Sequence, residues 1–176
     1  MPIDHSIRSA VPADHDAILT VVREAFSDGD RDGREELDIV VSTWNLAAGV
    51  PELELVAIEG GGVVGYVLAA YADLGGQVVV GVAPVAVKPS RQGGGLGSAL
   101  MTELLRRAEL AGLPLMALLG SPAYYGRFGF EPSGPLGITY RPIGESNPHF
   151  QVRRFASYVP SLRGDFTYCW EPTGRE

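Results

Sequence analysis

The segment that most restricts the possible folds is an apolar strand pattern that runs through a glycine loop into an amphipathic helix. Val85–Val87 are apolar, four glycines fall within residues 93–97, and leucines recur at helical spacing from Leu96 to Leu104. Glycine lets a ligand approach the backbone closely, and the first turn of a helix has unpaired N–H groups at the positive end of its dipole. The segment therefore predicts a strand, a phosphate-binding loop and a helix.

The size and charge of the chain fit one domain. Its 176 residues are 45% hydrophobic, which is enough to fill a core. The net charge of -7 argues against broad binding to nucleic acid or to anionic membranes. Cys169 is the single cysteine, and no apolar run is long enough to span a bilayer. We expect one domain over residues 1–176, cytoplasmic, with no nucleic-acid or membrane partner.

Hydrophobic spacing predicts alternating helices and strands along the whole chain. Helices are expected around Ile18–Phe26, up to Leu46, and after the glycine loop. The predicted strands are Ser6–Arg8, Leu53–Glu59, Val63–Ala70, Val78–Val87, Leu115–Leu119, Gln151–Phe155 and Phe166–Trp170.

Three local features refine this pattern. Gly60–Gly62 predicts a hairpin turn between two strands. Pro84 cannot donate a ladder hydrogen bond, so its strand should be bulged or separated from a neighbour near its end. Ser121 and Pro122 are typical of an N-cap and first turn, and they predict a short helix that ends at Gly129.

Two familiar phosphate-binding motifs do not fit the glycine loop. A P-loop has a Lys-Ser or Lys-Thr pair after its last glycine, whereas Gly97 is followed by Ser98 and Ala99. A dinucleotide fingerprint needs an acid about 20 residues further on for the ribose, and Leu115–Gly120 contains none.

The run Gln92-Gly-Gly-Gly-Leu-Gly97 instead resembles the Gln/Arg-x-x-Gly-x-Gly/Ala signature of the GNAT superfamily of N-acetyltransferases. A second segment, Pro122–Phe130, resembles the closing element of that family, in which a tyrosine stands four residues before a Gly-Phe pair. Tyr125 occupies that position before Gly129. Together with the Ile7–Asp14 segment, these motifs are similar to the YhbS-like branch of predicted N-acetyltransferases, and the resemblance is weakest from about Ile143 onward.

The resemblance implies an α/β fold of the GNAT type, a mixed and mostly antiparallel twisted sheet flanked by helices and splayed between the strands near Val85 and Leu115. It implies acetyl-CoA as donor substrate, no metal, and direct attack by an amine. Tyr125 would be the general acid that protonates the departing thiolate. Tyr124 is the alternative candidate, and only one of the two is expected to face the cleft, because adjacent helical residues point in different directions. The implied acetyl-CoA-binding residues are Val85, Ala86, Val87, Arg91, Gln92, Gly93, Gly94, Gly95, Leu96, Gly97 and Ser98.

The acceptor side stays open at this point. Asp73, Glu54, Glu131 and His149 are candidate general bases without a motif behind them, and a water chain is an equal alternative. The acids between Asp28 and Asp38 form either a solvated surface or a wall that attracts a cationic amine. The acceptor, the length of the acyl group, a homodimer, and a non-catalytic acyl-CoA-binding or sensing role all remain alternatives.

Overall fold

One mixed sheet organises the fold of the described residues, 5–144 and 147–172, in a computed structural model. Among those residues nine strands form the sheet, and a separate two-stranded ribbon lies beside it. The elements are, in chain order, β1 (Ser6–Ser9), α1 (His15–Phe26), β2 (Ser27–Asp28), β3 (Arg31–Asp32), α2 (Arg34–Asn45), β4 (Gly49–Glu59), β5 (Gly62–Leu74), β6 (Gln77–Val87), α3 (Leu96–Leu110), β7 (Leu115–Leu119), α4 (Pro122–Tyr125), β8 (Glu131–Pro132), β9 (Ile138–Thr139), β10 (Phe150–Arg154) and β11 (Gly164–Tyr168).

The sheet is mostly antiparallel, as predicted. Its order is β1-β4-β5-β6-β7-β10-β8, and β11 pairs with the end of β5. The β6–β7 pair is parallel because the connection between these strands crosses over through α3. The predicted hairpin joins β4 to β5, and its turn residues Gly60 and Gly61 have φ values of 56° and 79°, which favour glycine.

Helices cover both faces of the sheet. On one face, Leu100 and Leu104 of α3 are fully buried against Val67 and Val80. On the other face, α1 and α2 pack against the strand side chains that point away from α3, such as Tyr66. Aromatic residues of the segment from β9 to β11 cover the rest of that face. Within the described part of the chain, no helix is long and apolar enough to cross a membrane.

The strands β6 and β7 separate before either one ends. Their parallel pairing runs from Val80 opposite Met116 to Val82 opposite Leu118, and a register irregularity beside Pro84 follows. Beyond it, Val85–Val87 still pair with β5 on one edge, and no strand of the described chain pairs with the other edge. The sheet therefore opens next to Val85, as predicted.

The two strands that separate are the predicted ones, the strand that contains Val85 and the strand that begins at Leu115. Leu115 is at the end of β7 away from the opening, beside Arg154 of β10. Parallel strands bring their carboxyl ends to the same edge of a sheet, so the opening faces Leu119. The sequence pattern located both strands but not the end at which they part.

A matched pair of leucines on α3 tests the packing of this core. Leu100→Ala should lower the free energy of unfolding by about 2–5 kcal/mol, because Leu100 is 0% exposed and its removal leaves a cavity against the sheet. Leu110→Ala on the same helix should change it by less than about 0.5 kcal/mol, because Leu110 is 75% exposed. Urea denaturation of both variants measures the difference, and equal losses would contradict the assigned packing.

Candidate active site

The glycine loop borders a cavity of about 370 Å³, here called the loop cavity. Gly93 and Gly95 have φ values of 76° and 85°, and an added Cβ at either would project into open space. Gly95 caps the start of α3, whose first N–H groups have no intrahelical partner. The loop cavity is lined by Val87, Arg91, Gln92, Gly93, Gly95, Leu96, Gly97, Ser98, Tyr124 and Arg127.

Two arginines border the loop cavity and differ in their partners. Arg91 forms an ion pair with Glu59 at 2.6 Å, and its buried Nε has no hydrogen-bond partner in the described chain. Arg127 donates to the Tyr124 carbonyl at 3.2 Å and lies 4.6 Å over the Tyr124 ring, without a carboxylate partner among the described residues. Arg127 is therefore a positive group open to an anion. Sequence reasoning missed it, although it stands inside the Pro122–Phe130 motif.

Gln92 takes part in the loop differently from its glycine neighbours. Its Nε2 donates to the Val87 carbonyl at 3.0 Å, which ties the start of the loop back to the end of β6. The side chain thus orders the loop, and one carbonyl on the free edge of β6 already has a donor.

A second cavity, of about 520 Å³, lies at the opening between β6 and β7 and is here called the splay cavity. Val85 lines the splay cavity and Val87 lines the loop cavity, so the free edge of β6 runs from one to the other. The splay cavity is lined by Phe26, Arg31, Glu35, Glu36, Ile39, Val82, Ala83, Pro84, Val85, Leu118, Leu119, Tyr125, Tyr140, Tyr168 and Trp170. Its volume is in the usual range for small-molecule sites, about 300–1,000 Å³.

Tyr125 lies on the wall of the splay cavity. Its ring packs on the backbone of Gly120, which follows β7, and stands edge-on to Tyr124 and Phe130. Its hydroxyl has no hydrogen-bond partner in the described parts of the chain, and burial, with a smaller contribution from Tyr124, raises the pKa of Tyr125 to about 12. The side chain is therefore a neutral phenol at physiological pH, with an O–H available to donate.

Tyr124 faces a cavity too, although the adjacent position was expected to turn it away. Its hydroxyl lies beside Gly97, where an added Cβ would be 3.0 Å from the oxygen. Neighbouring helical residues point about 100° apart, and here that angle directs Tyr124 to the loop cavity and Tyr125 to the splay cavity. The two tyrosines therefore serve different cavities and are not rivals for one position.

Other predicted site residues lie outside both cavities. Ala86 is 1% exposed and packs under α1, and Gly94 lines neither cavity. The four candidate bases also lie away from the splay cavity. Glu54 accepts from Trp44 and Tyr66, Asp73 from the Gly76 amide, Glu131 from Arg154, and His149 contacts the Gly120 carbonyl.

The acid-rich segment divides between two positions. Asp28 and Asp32 belong to the β2–β3 ribbon, whereas Glu35 and Glu36 at the start of α2 line the splay cavity. Glu36 pairs with Arg31 at 2.6 Å. Of the six acids in this segment, only Glu35 and Glu36 line the splay cavity and could form a wall of an acceptor site.

Aromatic residues near the end of the chain complete the splay cavity. Tyr140 reaches it from the segment after β9, and Tyr168 and Trp170 reach it from the end of β11. No local sequence motif marks them, because only the return of β11 to the end of β5 brings them to this opening. In the described residues no group of His, Cys, Asp and Glu has the arrangement of a metal site.

Residues 52–132 match a family model described as the acetyltransferase (GNAT) domain. An N-acetyltransferase of Escherichia coli K12 called YhbS, itself uncharacterized, is 33% identical over 153 residues, which cover 85% of this chain and 87% of that protein. A second E. coli protein, the uncharacterized N-acetyltransferase YjhQ, is 34% identical over 102 residues, 56% of each chain.

Solved structures extend the similarity to the whole fold. The crystal structure of E. coli YhbS in complex with CoA superposes with a TM-score of 0.84 at 31% identity, over 96% of this chain and 91% of that one. A GNAT family acetyltransferase from Brucella melitensis in complex with acetyl-CoA gives 0.75 at 30% identity, over 94% and 96% of the two chains.

The packing of the Tyr125 ring on Gly120 can be tested by adding one methyl group at residue 120. Gly120→Ala would place a Cβ within 2.8 Å of the ring carbon Cδ2 of Tyr125, so the free energy of unfolding should fall by about 1–3 kcal/mol as the ring is displaced. Gly126→Ala is the control, because Gly126 has helical backbone angles and nothing lies within 4 Å of its added Cβ. Urea denaturation measures both, and an undisturbed Gly120→Ala variant would contradict the assigned position of Tyr125.

Proposed function

This chain belongs to the GNAT family of acetyltransferases, and from that membership we propose that it transfers the acetyl group of acetyl-CoA to a primary amine by direct attack on the thioester. The observation that carries the proposal is the free edge of β6. It leads from the glycine loop at Val87 to the opening at Val85, where Tyr125 stands. The relatives with CoA and acetyl-CoA in their crystals support the choice of donor.

The loop cavity would take the diphosphate of the coenzyme. Amides of residues 93–98 at the start of α3 supply N–H donors, and the dipole of α3 favours negative charge there. Arg127 would add a charge-assisted hydrogen bond to the diphosphate. Arg91 would add another if its ion pair with Glu59 were replaced by one with the phosphate. The pantetheine amides would pair with the free edge at Val85 and Val87, as a strand pairs with the edge of a sheet.

The reaction would take place at the splay cavity. The amine nitrogen bonds to the thioester carbon, the carbonyl oxygen becomes an oxyanion, and the C–S bond breaks as that carbonyl reforms. The proton lost by the nitrogen balances the one that the sulfur gains. Main-chain N–H groups on the free edge of β6 are suited to hold the oxyanion.

Tyr125 would donate its hydrogen bond to the departing sulfur. Burial raises the pKa of Tyr125 to about 12, so the phenol keeps its proton at neutral pH and acts first as a hydrogen-bond donor. Stabilisation of the developing thiolate by the hydrogen bond is therefore the larger part of its role.

We also propose that residues 1–176 act as one domain in the cytoplasm. The sheet continues from β1 near the start of the described chain to β10 near its end, and the single cysteine supports a reducing compartment. A homodimer stays a prediction that light scattering in solution would test.

Donor binding is testable with two glycines of equal backbone strain. Gly95→Ala should raise the Kd for acetyl-CoA about tenfold or more, because a Cβ at the start of α3 obstructs at least two amide contacts. Gly76→Ala has a matching φ of 87° against 85°, equally open space around its Cβ, and no place in either cavity, so it should not change the Kd. Calorimetric titration measures both, and equal affinities in the two variants would overturn the assigned diphosphate seat.

Turnover tests the role of Tyr125. Tyr125→Phe should lower kcat about 100-fold with acetyl-CoA affinity unchanged, since only the hydroxyl is lost. Tyr71→Phe, at an exposed position, is the control. In the wild type, kcat/KM should rise with pH towards the amine pKa of about 10.4, because only the neutral amine attacks.

Ionisation of Tyr125 should add no descending limb below its pKa of about 12, because the raised pKa keeps the phenol protonated up to that point. A descending limb near pH 9 that disappears in Tyr125→Phe would contradict this. Acetyl-CoA binding without thiol release on any amine would identify a sensing module instead of an enzyme.

A further inference from the structure

Eight of the fifteen residues that line the splay cavity lie outside the 52–132 segment that matches the family model, and they are here called the acceptor half. One wall comes from α1 and α2, with Phe26, Glu35 and Ile39, and the other from the C-terminal aromatic residues. Resting on the proposed function, we propose that the acceptor is a small primary amine with one positive charge, an aromatic or apolar body, and no carboxylate.

The aromatic wall is ordered by its own contacts. Trp170 stacks on Tyr168 with ring centroids 4.4 Å apart, and Tyr140 stands edge-on to Tyr168 at 5.4 Å. Tyr140 also stacks on Phe150 with ring centroids 5.0 Å apart, and its hydroxyl donates a hydrogen bond to the Glu171 carboxylate. Such a surface favours a flat or apolar body, and a cation within about 6 Å of a ring gains roughly 0.5–2 kcal/mol.

Tyr168 contributes an unpartnered hydroxyl to this wall. The residue is 5% exposed, and its ring lies over Gly81, where an added Cβ would be only 2.5 Å away. Gly81 directly precedes Val82, the last residue of β6 that pairs with β7. In the described chain its hydroxyl has no hydrogen-bond partner, yet it is not among the atoms sealed from solvent. Because the hydroxyl is open to the splay cavity, it is available to accept a hydrogen bond from a ligand N–H.

The hydroxyl oxygen of Tyr168 would accept this hydrogen bond from the attacking nitrogen and position it. Tyr125 lines the same cavity and holds the departing sulfur in the proposed reaction. The two phenols would therefore act on opposite partners of the reaction, Tyr168 on the nucleophile and Tyr125 on the leaving group.

The charges around the splay cavity select for a cation. Its lining residues carry three formal charges, on Arg31, Glu35 and Glu36, and Arg31 is already paired with Glu36. Glu35 has no ion pair or hydrogen bond with any described residue and is exposed at the rim. A single unneutralised carboxylate attracts one ammonium group and repels an acceptor that carries its own carboxylate.

Two amines of the same carbon skeleton give the sharpest test. 2-Phenylethylamine and phenylalanine differ by one carboxylate, and kcat/KM for thiol release should be at least about tenfold higher for 2-phenylethylamine. Spermidine and a lysine-containing peptide, which differ in charge and size, should also be at least about tenfold poorer. Equal or better turnover of any of these three would overturn the proposed acceptor class while leaving acetyl transfer intact. Thiol release on none of these four amines, with acetyl-CoA bound, would also overturn the proposed acceptor class, whereas the proposed function fails only if a wider panel of amines gives no thiol release either.

Two conservative variants separate the roles of the walls. Glu35→Gln should raise KM for 2-phenylethylamine roughly fivefold at low salt with kcat unchanged, and the difference should shrink at high salt. Asp38→Asn, an exposed position on the same helix outside the cavity, is the control. Equal effects of the two variants would overturn the role of Glu35.

Tyr168→Phe keeps the ring and removes the hydroxyl. It should lower kcat/KM for 2-phenylethylamine about 5- to 10-fold with the Kd for acetyl-CoA and the free energy of unfolding unchanged or improved. Tyr71→Phe again serves as control. Full retained activity would remove Tyr168 from the positioning of the amine.

Discussion

The rest of the structure depends on one interruption of main-chain hydrogen bonding, the separation of β6 from β7 after Val82 and Leu118. A strand edge inside a sheet normally finds its partner, and an unpaired buried edge is costly. Here the free edge of β6 runs from the glycine loop to Tyr125, along the path that the coenzyme would follow in the proposed function. The opening also creates the splay cavity, so donor groove and reaction site have a single structural origin.

Three tyrosines that line the two cavities each pack against a glycine. Tyr168 lies over Gly81, Tyr125 packs on Gly120, and the Tyr124 hydroxyl lies beside Gly97. Any side chain at these glycines would meet the ring or the hydroxyl, so backbone without Cβ is the seat that brings the phenols close to the sheet. Gly97 belongs to the loop motif, Gly81 lies within β6 where that strand still pairs with β7, and Gly120 directly follows β7. These glycines thus act by close packing, whereas Gly93 and Gly95 have positive φ values and open space around them.

The two cavities differ in where their residues come from. The loop cavity is lined by residues 87–127, all within the segment that matches the family model. The acceptor half of the splay cavity is lined by residues 26–39 and 140–170, which flank that segment. This division agrees with a common donor and an acceptor specific to the chain. Burial also sets the chemistry of the splay cavity, since it keeps Tyr125 protonated.

The sequence by itself determined the elements and the donor side. Three local patterns carried these predictions: the glycine run, the apolar strand before it and the spacing from Tyr125 to Gly129. Each can be recognised from neighbouring residues alone, without knowledge of the fold. Hydrophobic periodicity likewise predicted β4 to β7 and the crossover through α3. Only the tertiary structure decided which end of β7 faces the opening, that Tyr124 and Tyr125 serve different cavities, and that Glu35, Tyr140, Tyr168 and Trp170 meet at one site. Those residues are distant along the chain, and β-sheet pairing, which carries no signal in any single segment, is what brings them together.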